Sequence, residues 1–144
     1  MDLEELAEKL APYIAQYIVN VPIIRGDASR VKRSKNTFIN NAVLNTNSGN
    51  ITIEENVFFG LYVSLITGTH DISKKGMERI KSYPKKGKDI IIKSGVWLAS
   101  NVTVIGPCTI GENSVVGANS LVIDDIPANC VYAGSPAKFI KKID

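Results

Sequence analysis

Apolar residues recur along the C-terminal half of this chain with a period of six. Ile92, Leu98, Val104, Ile110, Val116 and Val122 open successive hexads, and Val96, Val102, Cys108, Ser114, Ser120 and Ile126 fill their fifth positions. The first positions are aliphatic and the fifth mostly small or β-branched, so each unit sends two side chains inward. A period of six fits neither a 3.6-residue helix nor an alternating strand. It fits a β-helix in which each hexad makes one flat face and a corner, three hexads closing a triangular coil.

The same register reappears at Ile53, Phe59 and Leu65, and counting back by sixes reaches Asn47 and Asn41, where stacked amides could form a ladder between coils. Leu65 and Ile92 are not separated by a multiple of six, so a segment near 71–89 is inserted between coils. Ahead of the repeats, Leu3, Leu6, Leu10, Tyr13, Ile14, Tyr17 and Ile18 keep helical spacing, with Asp2 as N-cap. Pro12 is expected to kink or split this helix, which should cover the open end of the solenoid. Arg25-Gly26-Asp27 reads as a turn rather than an adhesion signal. Beyond Pro127, the run from Val131 to Ile140 reads as a last strand, a turn and a short capping helix.

The expected organisation is one domain: a helical cap over 1–20, early coils over 21–70, the inserted loop over 71–89, regular coils over 90–127 and a closing segment over 128–144. At 144 residues a second core would be too small. Two cysteines give no disulfide framework, and there is neither a leader-like start nor an apolar run of the ~18 residues that span a bilayer. A soluble, cytoplasmic protein without integral membrane contact is therefore expected. The net charge is +3, yet residues 71–89 hold seven Lys or Arg against three acids, so the rest of the chain is slightly acidic. Basicity this local argues against general nucleic-acid binding, and Tyr83 is the insertion's lone aromatic residue. The insertion is either a solvated protrusion or an attractor for a phosphorylated ligand.

The hexads, the loop after Gly68-Thr69-His70, the Val96-Trp97 pair, Gly117-Ala118-Asn119-Ser120, and the ending Asp125-Ile126-Pro127-Ala128-Asn129 with Ala133-Gly134-Ser135-Pro136-Ala137-Lys138 together resemble the hexapeptide-repeat acyltransferases. The likeness covers about residues 36–142 and is nearest to the maltose and galactoside O-acetyltransferase branch, with its relatives that acetylate polysaccharides. It implies an all-β, left-handed parallel β-helix, an exception to the usual crossover hand. It also implies a homotrimer with each active site in the cleft between two solenoids, and acetyl coenzyme A lying along that cleft.

His70, the sole histidine, stands where the regular coil gives way to the insertion. Moving an acetyl group from a thioester to a hydroxyl needs a base, and imidazole suits neutral pH; the family's catalytic histidine matches this position. A surface histidine at a loop junction is the competing reading. One histidine cannot supply the three imidazoles of a zinc hydratase, and no metal is called for. The resemblance further implies the Ser100 amide as oxyanion donor, Trp97 and Ala118 beside the pantetheine arm, and Lys138 and Lys141 near the phosphates of coenzyme A. It makes Asn40 a ligand of a saccharide acceptor. Ser100 could equally be an ordinary corner, Trp97 outer packing, and Asn40 part of an amide ladder. Where relatives carry an aspartate pair and a Thr-Lys pair, this chain has Asn47-Ser48 and Ile123-Asp124, which puts free-disaccharide specificity in doubt and alters the adenine end. An amine or other small hydroxyl compound as acceptor, and a non-catalytic scaffold, remain as other readings.

Overall fold

The computed structural model describes residues 1–19 and 21–144. Helix α1 (Leu3–Val19) precedes a solenoid whose short strands stack into three sheets. Sheet I holds β1 (Ile23–Arg25), β3 (Val43–Asn45), β6 (Ser64–Ile66), β9 (Thr103–Ile105) and β12 (Leu121–Val122). Sheet II holds β2 (Val31–Arg33), β4 (Ile51–Ile53), β7 (Ile90–Ile92) and β10 (Cys108–Ile110). Sheet III holds β5 (Phe58–Phe59), β8 (Trp97–Leu98), β11 (Val115–Val116), β13 (Cys130–Gly134) and β14 (Ala137–Lys142). All pairings are parallel except that of β13 with β14.

Both inward positions of every regular hexad are buried: the first positions from Ile92 to Val122 and the fifth positions from Val96 to Ile126 are all at most 3% exposed. Cys108 sits on Ile90, one regular coil of 18 residues away, whereas Ile51 and Ile90 face each other across 39 residues. The surplus is the insertion, which leaves and rejoins without disturbing the stack. It is not a plain loop, because it contains helix α2 (Gly76–Lys81).

Upstream the hexad register fails. Val43 pairs with Ser64 and Val31 with Ile51, coils of 21 and 20 residues, so counting back by sixes points to the wrong side chains. Ala42, Leu44, Thr46 and Ser48 are buried there, while Asn47 is exposed and Asn41 half-buried. An amide ladder does occur, but between Asn36 and Asn56, whose Nδ2 and Oδ1 are 2.8 Å apart. The asparagines mainly serve the corners: Asn56, Asn101, Asn113, Asn119 and Asn129 have positive φ, a conformation asparagine tolerates better than most residues. Tyr62 stands in the same register as Asn101 and Asn119, at φ 59°, and is largely exposed. Replacing it by asparagine is expected to stabilise the protein by roughly 1 kcal/mol, seen as a higher urea midpoint with an unchanged m-value.

Both ends differ from expectation. Asp2 does cap α1, its carboxylate accepting from the Glu5 amide at 2.8 Å. The helix runs unbroken through Pro12, since an exposed helix lets water satisfy the Glu8 carbonyl that Pro12 cannot reach. It does not cover the solenoid: Leu3 is 84% and Tyr13 73% exposed, and Leu6, Leu10 and Ile14 are also in solvent. One corner of the first coil is tied by Arg33, which donates to Thr37 Oγ1 and to the Thr37 carbonyl.

At the other end the short capping helix is absent, and β14 folds back antiparallel on β13. A six-residue helix is marginal in water, whereas a strand here satisfies the free edge of β13 and sets Phe139 edge-on against Tyr132, with ring centroids 5.9 Å apart. The two cysteines are buried and form no disulfide. Burial, and then the charges of Asp125 and Asp124, push the Cys108 thiol up to about 12, which leaves it an inert packing group.

Candidate active site

The insertion starts where β6 ends, and its internal bonds set the geometry of His70. Asp71 accepts from the Ser73 amide and hydroxyl, bonds that hold its carboxyl below the usual carboxylate range. Its own amide donates to the Ser82 carbonyl, pinning the two ends of the segment around α2 together. Arg79 donates to the Lys74 and Ile72 carbonyls, so this guanidinium acts as an internal brace.

The brace presents the Arg79 carbonyl to His70 Nδ1 at 2.9 Å. A carbonyl can only accept, so the bond requires the proton on Nδ1, and in the neutral ring the lone pair is then on Nε2. Tyr83 meets the ring in a T-shaped contact, with centroids 5.8 Å apart. Asp71, directly after the histidine, is occupied by Ser73 and does not orient the imidazole. Two depressions flank the exposed ring. One, of about 280 Å³, is lined by Asn45, Asn47, Gly68, Thr69 and Tyr83. The other, of about 490 Å³, runs past Ile72, Ser82, Pro84 and Lys88.

The remaining candidate residues stand elsewhere. Gly60, Ser100 and Ala118 follow sheet III on successive coils, at the edge where the chain turns into sheet I. His70 follows sheet I, at its far edge, and the intervening face is roughly 20 Å wide at ~3.3 Å per residue. Within one chain the imidazole is therefore separated from Ser100, Ala118 and Trp97.

The sheet III edge has its own order. Ser100 Oγ accepts from the Leu61 amide at 3.1 Å, and among the described residues no acceptor takes the Ser100 amide hydrogen. Gly60 has to lack a side chain, because a Cβ would stand 2.5 Å from the Ser100 nitrogen. Ala118 is exposed, and among the described residues neither its amide nor its carbonyl has a partner, though the neighbouring Gly117 and Asn119 amides do. Trp97 is 42% exposed and stacks on Phe58 at 5.7 Å, so its packing and its availability coexist. Asn40 sits at the same edge, at φ 45°, with Nδ2 donating to the Phe59 carbonyl at 2.8 Å, which gives it a corner role.

Lys138 and Lys141, three apart on one strand, would ordinarily face opposite ways. A bulge between Val131 and Tyr132 pairs Lys141 with Val131 and Lys138 with Ala133, which puts both on one side. Val131 continues the column of Val115 and Trp97, so both lysines share the tryptophan's outer face. Sequence reasoning had no access to this bulge, to the Arg79 carbonyl or to the place of Tyr83 beside the imidazole.

The architecture is that of a hexapeptide-repeat transferase, and comparison with known proteins agrees. The family described as bacterial transferase hexapeptide (six repeats) matches residues 89–124. A Saccharomyces cerevisiae protein named as a candidate acetyltransferase is 31% identical over 138 residues, covering 96% of this chain and 69% of the relative. Galactoside O-acetyltransferase of Escherichia coli is 34% identical over 130 residues, covering 88% of this chain and 61% of its own. The chain thus belongs to the hexapeptide-repeat transferase family. It spans between 44% and 69% of the length of the curated relatives it matches. Among solved structures, a hexapeptide-repeat acetyltransferase from Vibrio cholerae superposes with a TM-score of 0.72 at 26% identity, covering 100% of this chain and 84% of that one. The same Vibrio protein has been solved with acetyl coenzyme A, at a TM-score of 0.59, 24% identity and coverage of 94% and 78%. Among the described residues there is no group of three or more potential metal ligands and no helix long and apolar enough to cross a membrane.

Proposed function

We propose that this chain is an acetyl coenzyme A-dependent O-acetyltransferase acting on a hydroxyl of a sugar or sugar-containing precursor. The observation that carries the reading is the exposed His70 imidazole, fixed through Nδ1 by the Arg79 carbonyl at the border of an amide-lined depression. Nε2 removes the acceptor hydroxyl proton as the oxygen attacks the thioester carbonyl. The Ser100 amide meets the oxyanion that forms. Collapse breaks the carbon–sulfur bond, and the imidazolium returns its proton to the departing thiolate.

Acetyl coenzyme A fits the sheet III edge. Unpartnered main-chain groups of Ala118 suit the amides of pantetheine, Trp97 offers an apolar flank, and Lys138 with Lys141 supplies charge for the phosphates. Because His70 stands across a full face from these groups, the site is completed by a second chain. The assembly is a homotrimer of left-handed solenoids, each cleft taking His70 from one chain and the Ser100 edge from its neighbour. Asn40, on that same edge, keeps Oδ1 available for an acceptor hydroxyl. A cytoplasmic location goes with two buried free thiols.

The test is coenzyme A release from acetyl coenzyme A across free sugars, sugar phosphates, nucleotide sugars and amines, with product masses recorded. Acceptor-dependent release with acetyl esters as products supports the proposal, and amides as products would make the protein an N-acetyltransferase. If no acceptor is acetylated and coenzyme A leaves the melting temperature unchanged, the fold serves as a scaffold, since a ligand of the folded state must raise that temperature.

A further inference from the structure

We infer that the acceptor carries an anionic group, a phosphate or carboxylate beside the sugar ring, recognised by Lys85 and Lys88 of the insertion. The inference rests on the acetyltransferase reading and names the substrate class of that site.

Three observations support it. The first is that the insertion's positive charge is not neutralised internally. Among the described residues the ion pairs are Lys9 with Glu5 and Lys93 with Glu54, and none involves a lysine of 71–89. Seven Lys or Arg outnumber Asp71, Glu78 and Asp89 in this segment, so it stays cationic although these carboxylates keep their charge and Asp71 itself borders the larger depression.

The second is that two of these lysines are placed at the imidazole rather than spread over the protrusion. Lys85 Nζ lies 3.8 Å from the centroid of the Tyr83 ring, which itself touches His70. Taken end to end these spacings keep the ammonium within about 10 Å of the imidazole, about the Debye length at 0.1 M salt. Lys88 lines the larger depression beside His70 and is half-buried.

The third is that the Lys88 backbone is held in place. Its amide donates to the Ser48 carbonyl at 3.1 Å, and its carbonyl passes between Gly49 and Gly106, at both of which a Cβ would collide with it. The backbone from which the Lys88 side chain extends is thus fixed beside the base. A neutral acceptor gains nothing from these two ammonium groups, whereas an anionic one gains charge-assisted bonds, drawing Lys85 from the Tyr83 face. Within one chain the lysines proposed to hold the phosphates of coenzyme A, Lys138 and Lys141, lie on sheet III, away from the insertion; a KM readout for the donor separates the two sets across the cleft.

The experiment pairs anionic acceptors with neutral counterparts that keep the same free hydroxyls: glucose 6-phosphate with 6-O-methylglucose, galacturonate with galacturonamide, and N-acetylglucosamine 1-phosphate with methyl N-acetylglucosaminide. The anionic member is expected to show at least a tenfold higher kcat/KM, an advantage that shrinks as sodium chloride rises from 50 to 500 mM. Lys85→Gln with Lys88→Gln should cut the anionic-to-neutral ratio about tenfold, while the arginine pair retains most of it and Lys32→Gln, on sheet II, leaves it alone. Melting temperatures verify folding. Equal use of both members overturns the inference while the acetyltransferase reading stands. So does a double variant whose defect is a raised KM for acetyl coenzyme A, which would assign these lysines to the donor. Absence of transfer to every acceptor overturns both.

Discussion

His70→Ala is expected to lower kcat/KM for acetyl transfer by about 10²–10⁴-fold, the range general-base removal commonly costs. The melting temperature should move little, because the imidazole is exposed and its one protein hydrogen bond is worth about 1 kcal/mol. His70→Asn sharpens the test. Its side-chain amide can still donate to the Arg79 carbonyl, so the insertion keeps its anchor, but no side-chain nitrogen lone pair remains to take a proton. Equal losses in both variants, with coenzyme A still raising the melting temperature, place the defect in proton transfer. Recovery in the asparagine variant would instead show that His70 acts by holding the insertion, and full activity in both would remove it from the chemistry.

How far the sequence disclosed this arrangement depends on which interactions repeat. From Ile92 to Ile126 each coil takes 18 residues, so burial recurs at fixed intervals and the hexads are plain. Coils of 20 and 21 residues between Val31 and Ser64 break that clock, and Asn41 and Asn47 were misplaced for that reason alone. The closing strand Ala137–Lys142 has no decisive local preference; the open edge of β13 and the Tyr132–Phe139 contact decide its state. His70 was legible because a lone titratable group at the mouth of a polar insertion is a chemical signal. Its orienting partner was not, since a main-chain carbonyl nine residues away has no side-chain signature. The division of candidate residues between two edges was hidden for a related reason. It depends on which corner of the coil each occupies, and the insertion obscures that count.

Two inactive variants, His70→Ala and Ala118→Trp, are expected to restore one another when assembled into mixed trimers. The second substitution is chosen because Ala118 is exposed, with room for a large side chain on the folded chain, yet it would block the proposed pantetheine track. If each cleft takes His70 from one chain and the Ser100–Ala118 edge from the next, every mixed trimer contains one cleft with neither lesion. Co-expression with different tags and tandem purification should therefore give about a third of wild-type activity from parents that have almost none. If a single chain supplied both groups, every cleft would carry one lesion and the mixture would stay as inactive as its parents. The separation of His70 from Ser100 by a full face of the prism makes recovery the expected result, since no rearrangement within one rigidly stacked coil could bring the two edges together.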